Sequence, residues 1–145
     1  MTTTFRQLNH GWNAEPNAPG ERLVYGGRNL MLSFEVNAFL HPQFAEGSVC
    51  TITFKNCWRY RLGSTNDEGW NLGKCRFSRL APAWGEFNEI QGELLLDLAP
   101  NDWIVTGQTA TPSHHYLFYL RDATFECDAE SHSIQLPIQV HANEA

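Results

Sequence analysis

The chain has 145 residues, of which 42% are hydrophobic and 18% are charged, and it carries a formal net charge of −6. A chain of this length forms one domain, since it can bury roughly two-thirds of its unfolded surface in a single core. The acidic balance argues against direct binding of nucleic acid, which depends on clustered cations. We therefore expect a single domain over residues 1–145 whose partner is not nucleic acid.

The N-terminal segment and the cysteines indicate where the protein works. Residues 1–6 lack the basic and apolar regions of a signal peptide, and no apolar run approaches the roughly 20 residues that cross a bilayer. The four cysteines show neither the close-pair spacing of a zinc site nor the density of a secreted disulfide framework. We expect a cytoplasmic protein with reduced thiols and no membrane association.

The first strong pattern lies near residue 30. Apolar and polar side chains alternate over residues 30–36, which indicates a strand with one buried face. Residues 22–25 precede it, and Gly26 and Gly27 supply the positive φ angles of a tight turn between the two segments. These residues predict a β-hairpin.

The longest alternating segment covers residues 49–62. Asn56 interrupts its apolar face, and an amide at that position marks either a bulge that bends the strand or a hydrogen-bonded core side chain. Cys57 falls on the polar face beside Arg59. We expect one long strand in which Asn56 is either a bulge or a structural amide.

The second half of the chain adds further strands and little helix. Residues 114–120 are apolar on both faces from Tyr116 onward, as expected of a central strand covered on two sides. Pro137 lies in the last predicted strand and has no backbone N–H to donate, so we expect that strand at the edge of a sheet. Pro82 and Gly85 limit residues 77–87 to a short helix or a folded loop. The remaining predicted strands cover residues 94–98, 103–106, 124–129 and 133–140.

Many short strands with few long crossovers favour a mainly β fold. The pattern predicts an antiparallel β-sandwich or a partly open barrel of about seven or eight strands, with little helix.

No motif predicts a metal, a cofactor or a nucleophile. The six histidines and four cysteines contain no pair at the spacing that directs two side chains at one ion. No serine lies in a G-x-S-x-G elbow. We therefore predict no catalytic residue, no metal and no cofactor, and we favour a binding protein over an enzyme.

Three groups of side chains are candidate binding residues. The first two combine arginines with carboxylates, and the third combines carboxylates with an aromatic ring. They are Arg59, Arg61, Asp67 and Glu68; Arg121, Asp122 and Glu126; and Trp84, Glu86 and Glu89.

The first two groups have two interpretations. They form ion-pair networks that fix a loop to a sheet, or they provide general acid and base pairs if burial separates the carboxyl pKa values. We favour the structural interpretation and keep the second open. The third group, with an exposed aromatic ring among carboxylates, suits a basic protein partner.

Several segments resemble a family of small, stand-alone bacterial proteins of unassigned activity. The segments are WNAEPNAP (12–19), NCWRYR (56–61), NDEG (66–69), WGEF (84–87) and HYLFYLRD (115–122), running on to Cys127. With its Tyr-Arg strand, acidic turn and late Tyr-rich strand, the chain is also similar in style to immunity proteins of contact-dependent or polymorphic toxin systems. This resemblance implies an acidic, cytosolic, non-enzymatic protein and supplies no catalytic residues.

Two functional hypotheses follow. The first is an immunity-type protein that binds and neutralises a basic toxin domain through an acidic and aromatic surface. The alternative is a small-molecule-binding or enzymatic β-sandwich with an aromatic pocket lined by arginines and carboxylates. Convergence of Arg61, Asp67 and Arg121 in a cleft would favour the alternative, whereas the same residues paired and covered would not.

Overall fold

The computed structural model describes residues 3–63, 72, 76–77, 80, 83, 85–92 and 100–140. Within these residues the chain forms ten β-strands and no helix, so no helix of the described part is long and apolar enough to cross a membrane. The strands are β1 (Thr4–Gln7), β2 (Arg22–Gly26), β3 (Asn29–Glu35), β4 (Val49–Lys55), β5 (Arg59–Gly63), β6 (Phe87–Gln91), β7 (Ile104–Val105), β8 (His114–Tyr119), β9 (Thr124–Ala129) and β10 (Ser131–Gln135).

The strands form two antiparallel sheets. One has six strands in the order β1-β6-β8-β9-β5-β7, and the other has four in the order β10-β4-β3-β2. Neither sheet closes on itself, and side chains from the two facing sides share one core. The predicted antiparallel β-sandwich is confirmed.

The core between the sheets follows from the alternation of apolar residues along each strand. Leu32 and Phe34 point inward from β3, and Phe54 does so from β4, all of them fully buried. Phe34 meets Phe118 of the six-stranded sheet with ring centroids 5.2 Å apart, and Phe54 meets Phe125 at 5.3 Å. Burial of each such side chain contributes about 1.5–3 kcal/mol, so these pairs hold the sheets together.

The predicted hairpin is present, with one change in its turn. β2 pairs with β3 through the two-residue turn Gly27-Arg28, in which both residues have positive φ angles of 58° and 69°. The sequence placed the turn on two glycines, but Gly26 belongs to β2. A turn of this kind matches the right-handed twist of the strands because both central residues lie at positive φ.

The single long strand predicted over residues 49–62 is in fact two strands in different sheets. Asn56 has a φ of 49° and ends β4, and the Cys57 amide then donates to the Arg28 carbonyl. The chain crosses to the six-stranded sheet, where β5 begins at Arg59. Cys57 is therefore buried between the sheets and is a free thiol, as are Cys50 and Cys127.

Other boundaries also differ from the sequence prediction. β1 and β6 were not predicted, and β10 ends at Gln135, before Pro137, whose ring nitrogen has no hydrogen to donate. The predicted strand at residues 94–98 lies outside the described residues, as does most of the segment 77–87.

Phe118 provides a test of the shared core. Truncation of Phe118 to alanine should lower the free energy of unfolding by about 3–5 kcal/mol, because the side chain is fully buried and its loss leaves a cavity. Phe39→Ala is the matched control, since Phe39 is 98% exposed, and should change stability by less than about 0.5 kcal/mol. Urea unfolding measures both, and equal midpoints for the two variants would contradict the packing.

Candidate functional site

The outer face of the six-stranded sheet carries a buried group of charged side chains. β8 and β9 are covered on both faces, as the sequence predicted for residues 114–120. Phe77, Ile90, Leu117 and Tyr119 form an apolar cluster on this outer face. Beside it lies a set of seven charged residues, largely buried apart from the exposed Asp102 and the partly exposed Arg59, that we call the buried ionic network. Its members are Arg59, Arg61, Arg76, Asp102, His115, Glu126 and Asp128.

Glu126 is the centre of the buried ionic network, with no exposed surface. Arg61 Nη1 and Arg76 Nη1 donate to its two carboxylate oxygens at 3.0 and 2.7 Å. His115 Nε2 lies 2.7 Å from Oε1 of the same carboxylate. A buried carboxylate needs such partners, since an unpaired charge in the interior costs several kcal/mol.

Asp128 binds the other side of the same histidine. His115 Nδ1 lies 2.8 Å from Asp128 Oδ1, and Arg59 Nε donates to Oδ2 at 2.6 Å. Strand register causes this arrangement, because Asp128 on β9 is directly opposite both His115 on β8 and Arg59 on β5. Every second residue of these strands faces the same side, so the charged groups converge on one face.

Two tryptophans cover Arg59. Its guanidinium lies 4.7 Å from the ring centroid of Trp58 and 4.1 Å from that of Trp103. The Trp103 ring meets the His115 ring edge-on, with centroids 5.9 Å apart. Stacking over an aromatic face stabilises a partly desolvated cation, so the indoles keep water away from the network.

The charge state of His115 follows from its two carboxylate partners. Burial alone would lower the pKa of His115, but the hydrogen bonds to Asp128 and Glu126 outweigh it and raise the pKa above its ordinary value. Burial likewise acts to raise the pKa of Asp128, whereas His115 and Arg59 bring it below the usual range. Both ring nitrogens of His115 therefore carry protons, and neither is available as a general base.

The network includes part of the predicted site. Arg59, Arg61 and Glu126 come together as the sequence indicated, but they are paired with one another and largely covered. Arg121 and Asp122 lie apart from them in the connection from β8 to β9, as a partly exposed pair 3.9 Å apart. Asp67, Glu68 and Trp84 lie outside the described residues.

Three members of the network, His115, Arg76 and Asp102, were not among the predicted site residues. A signal for His115 was present, since it is a polar residue at the start of an otherwise apolar segment. Arg76 and Asp102 come from the segment between β5 and β8, and no periodicity assigns them to this sheet face. The Tyr119 hydroxyl also donates to the Arg76 carbonyl, which fixes that residue against β8.

Glu89 is not the surface carboxylate that the sequence suggested. It is buried at one end of the inner face, where Arg6 Nη2 donates to it at 2.9 Å and His114 Nδ1 lies 2.9 Å away. Burial acts to raise the pKa of Glu89, but the contacts with His114 and Arg6 lower it overall. Glu86 is half-buried and accepts a hydrogen bond from the Ala83 amide at 3.4 Å. Glu89 is therefore committed within the fold, whereas Glu86 keeps partial exposure.

A groove of about 540 Å³ lies where β3 ends and β4 begins, and we call it the acidic groove. Its walls come from residues 15–18 and 35–47, joined where the Glu15 amide donates to the Glu35 carbonyl. Three carboxylates line it, those of Glu15, Glu35 and Glu46, and the described lining contains no Lys or Arg. Phe39, 98% exposed, belongs to the same lining.

Local hydrogen bonds and glycines position these carboxylates. Glu15 Oε2 accepts the backbone N–H groups of Asn17 and Ala18. The Glu35 carboxylate lies over Gly47, where a Cβ atom would be 3.6 Å from Oε1. Gly47 has a φ of 82°, which a residue with a side chain adopts only with strain. The loop thus holds Glu35 at the groove.

The described residues contain no group of three or more His, Cys, Asp or Glu side chains that could hold a metal ion.

Glu126 provides a test of the buried ionic network. Glu126→Gln keeps the shape of the side chain but removes the charge that compensates two arginines and His115. Loss of one partner from a buried ion pair costs about 3–5 kcal/mol, so we expect a fall in unfolding free energy of that order. The control is Asp122→Asn, which alters an exposed ion pair and should cost less than about 1 kcal/mol. Similar unfolding midpoints for the two variants would contradict the central role of Glu126.

His115 predicts a pH dependence of stability. The folded protein keeps the His115 proton to a higher pH than the unfolded chain, whose histidines titrate near pH 6.5. Protonated His115 contributes fully to the free energy of unfolding below about pH 6.5. This contribution is lost as the pH rises through the raised pKa of His115 in the folded protein. Wild-type protein should therefore lose stability over that range, and His115→Gln should lack this part of the loss. Parallel pH profiles in urea unfolding would contradict the assignment.

No protein-family model, curated protein or solved structure that we compared with the chain matches it. The resemblance to toxin-system immunity proteins therefore stays an expectation from the sequence, and the function is argued from the geometry of the described residues.

Proposed function

We propose that this is a non-enzymatic binding protein that takes a basic protein partner at the acidic groove, as an immunity-type protein would take a basic toxin domain. One observation carries the proposal. Three carboxylates and a fully exposed phenylalanine line one groove, and no cation balances them within its described lining.

The carboxylates are available to a partner. Glu15, Glu35 and Glu46 form no ion pair with any described residue, in contrast to the carboxylates of the buried ionic network. Unpaired charges of one sign in a concave surface concentrate their field and attract a partner of the opposite charge. The net charge of −6 acts in the same direction at longer range.

Phe39 is the expected anchor. Large aromatic side chains that leave water on binding account for much of the affinity of protein interfaces. Leu40 beside it is also exposed, so the rim of the groove offers a small apolar surface next to the charges. A partner with basic side chains around an apolar pocket would match both features.

The paired state of the arginines favours binding over catalysis. Arg61 is held by Asp102 and Glu126, and both nitrogens of His115 face carboxylates. Three of the five N–H donors of Arg61 and both ring nitrogens of His115 are therefore already directed at carboxylates within the protein. Arg61 is thus committed within the fold, whereas Arg121 and Asp122 are partly exposed and Asp67, Glu68 and Trp84 lie outside the described residues.

The immunity-type role adds a cytoplasmic location and a toxic partner to this proposal. Cys50, Cys57 and Cys127 are free thiols, which is compatible with a reducing compartment. A toxin domain that acts on nucleic acid would be basic, and the acidic groove would then compete for its cationic surface.

A capture experiment with matched variants tests the proposal. Tagged wild-type protein, Phe39→Ala and Ile138→Ala are each used to capture partners from a lysate of the source organism. We expect one basic protein to bind the wild type and Ile138→Ala but to be lost with Phe39→Ala. Ile138 is the control because it is 87% exposed and outside the groove. A partner that binds all three variants equally would contradict the groove as its site.

A charge-reversal variant then distinguishes long-range electrostatic attraction of the partner from direct contact with it. Glu46→Lys should slow association with the captured protein by about tenfold at low salt and less at high salt, since screening weakens the attraction. Growth arrest by the captured protein alone, relieved on co-expression of the wild type but not of Phe39→Ala, would support the immunity role. If the captured basic protein does not arrest growth, the proposed binding function would stand but the immunity role would not.

A further inference from the structure

A second groove, of about 300 Å³, lies at the opposite end of the four-stranded sheet from the acidic groove. It is formed by the β2–β3 turn, the crossing from β4 to β5, and residues 106–111, and we call it the polar groove. The acidic groove lies where β3 ends and β4 begins, whereas the polar groove lies where β3 begins and β4 ends. The two grooves share no residue.

Two aromatic side chains line the polar groove. Trp58 has one ring face covered by the Arg59 guanidinium, and its Nε1 donates to the Ser113 hydroxyl at 2.9 Å. Tyr25 is stacked on Tyr60 with ring centroids 6.3 Å apart. Both rings are thus held in fixed orientations with one face taken, and both keep partial exposure at the groove. Fixed aromatic rings provide the apolar part of a small-molecule site.

The remaining lining is rich in hydrogen-bonding groups of neutral side chains. Gln108, Thr109 and Thr111 contribute an amide and two hydroxyl groups from one short segment. A hydroxyl group both donates and accepts, and an amide offers two donors and a carbonyl oxygen. Such a set matches the hydroxyl groups of a polyol, which also donate and accept.

Arg28 gives the groove a positive charge. Glu130 also belongs to the lining, but Asn56 Nδ2 donates to it at 3.3 Å and Lys55 lies 3.8 Å away, so its charge is already offset. Arg28 is exposed and has no carboxylate partner among the described residues. Its guanidinium can therefore bind a carboxylate through two parallel hydrogen bonds.

The backbone of the groove has a positive φ at two non-glycine residues. Arg28 has a φ of 69° and Asn56 a φ of 49°, and these are two of the three non-glycine residues with positive φ in the described chain. Glycine is the favoured residue at the second central position of such a hairpin turn. An arginine at that position costs stability, and strain of this kind gathers where a binding function requires a particular side chain.

We propose that the polar groove binds a sugar acid, that is, a small polyol with one carboxylate. Trp58 and Tyr25 meet the C–H faces of the ring, the segment 108–111 bonds its hydroxyl groups, and Arg28 pairs with its carboxylate. This site does not depend on the acidic groove, so its failure would leave the proposed protein-binding function untouched.

Backbone amide shifts in NMR with glucuronate as the probe test the proposal. We expect saturable shifts at Asn56 and at residues 107–111, with a dissociation constant near ~1 mM, as for a small ligand of about a dozen heavy atoms. Glucose, which lacks the carboxylate, should bind about tenfold more weakly or worse. Acetate, which lacks the polyol, should also bind more weakly.

Arg28→Gly is the decisive variant, because it relieves the turn while removing the charge. Its thermal unfolding midpoint should equal or exceed that of the wild type, and its affinity for glucuronate should fall by about tenfold or more. Arg22→Ala removes an exposed arginine from the same hairpin, outside the groove, and should bind as the wild type does. A folded Arg28→Gly that binds glucuronate normally would overturn the proposal. Equal binding of glucuronate and acetate, or no shifts up to tens of millimolar, would also overturn it.

Discussion

The structure depends on the burial of one carboxylate. Glu126 has no exposed surface, and it is compensated by Arg61 from β5, His115 from β8 and Arg76 from the segment between them. Three separate parts of the chain must therefore meet at one point on the outer face of the six-stranded sheet. A shift of β8 by one residue against β9 would move His115 into the apolar core and leave Glu126 undercompensated, so the network specifies the strand register.

A rigid sandwich with functional groups at its ends is a consequence of this arrangement. The inner face is filled by aromatic rings, and the outer face of the six-stranded sheet is occupied by ion pairs, so neither offers room for a partner. The connections between strands and the outer face of the four-stranded sheet, where Val24 and Met31 are exposed, remain accessible. The acidic groove and the polar groove lie in such connections at opposite ends of the four-stranded sheet, where loops can carry binding groups without disturbing the core.

The sequence predicted the strands correctly where the pattern of apolar residues along the chain depends on burial. Alternation predicted the β2–β3 hairpin and the sandwich class, because it depends only on which face meets the core, and an unbroken apolar run predicted the doubly covered strand β8. The sequence did not show that residues 49–62 belong to two sheets. Asn56 marks the break, but the alternation of apolar and polar residues continues on both sides of it. The sequence therefore does not distinguish a bend within one strand from a crossing of the chain between two sheets.

The candidate site was predictable only in part, for the same reason. Arg59, Arg61 and Glu126 are on neighbouring strands and could be grouped by pattern, whereas Arg76 and Asp102 reach them from a segment with no periodicity. Glu89 was assigned to the surface because it lies in an acidic stretch, yet strand β6 turns it toward Arg6 and His114. The carboxylates of the acidic groove were missed because Glu15, Glu35 and Glu46 are far apart in the chain and meet through loop geometry.

The pairing of β1 with β6 affects the order in which the protein can form during synthesis. Thr4 is opposite Gln91, so the first strand has no partner until most of the chain has left the ribosome. At roughly 5–20 residues per second, β1 waits several seconds in an unpaired state. The four-stranded sheet begins earlier, since β2, β3 and β4 are consecutive and need only residues 22–55, but β10 completes it last. The ion pairs of Glu126 and Asp128 also form only after β9 emerges, so until then the nascent chain carries an apolar face of β2, β3 and β4 that its own later strands will cover.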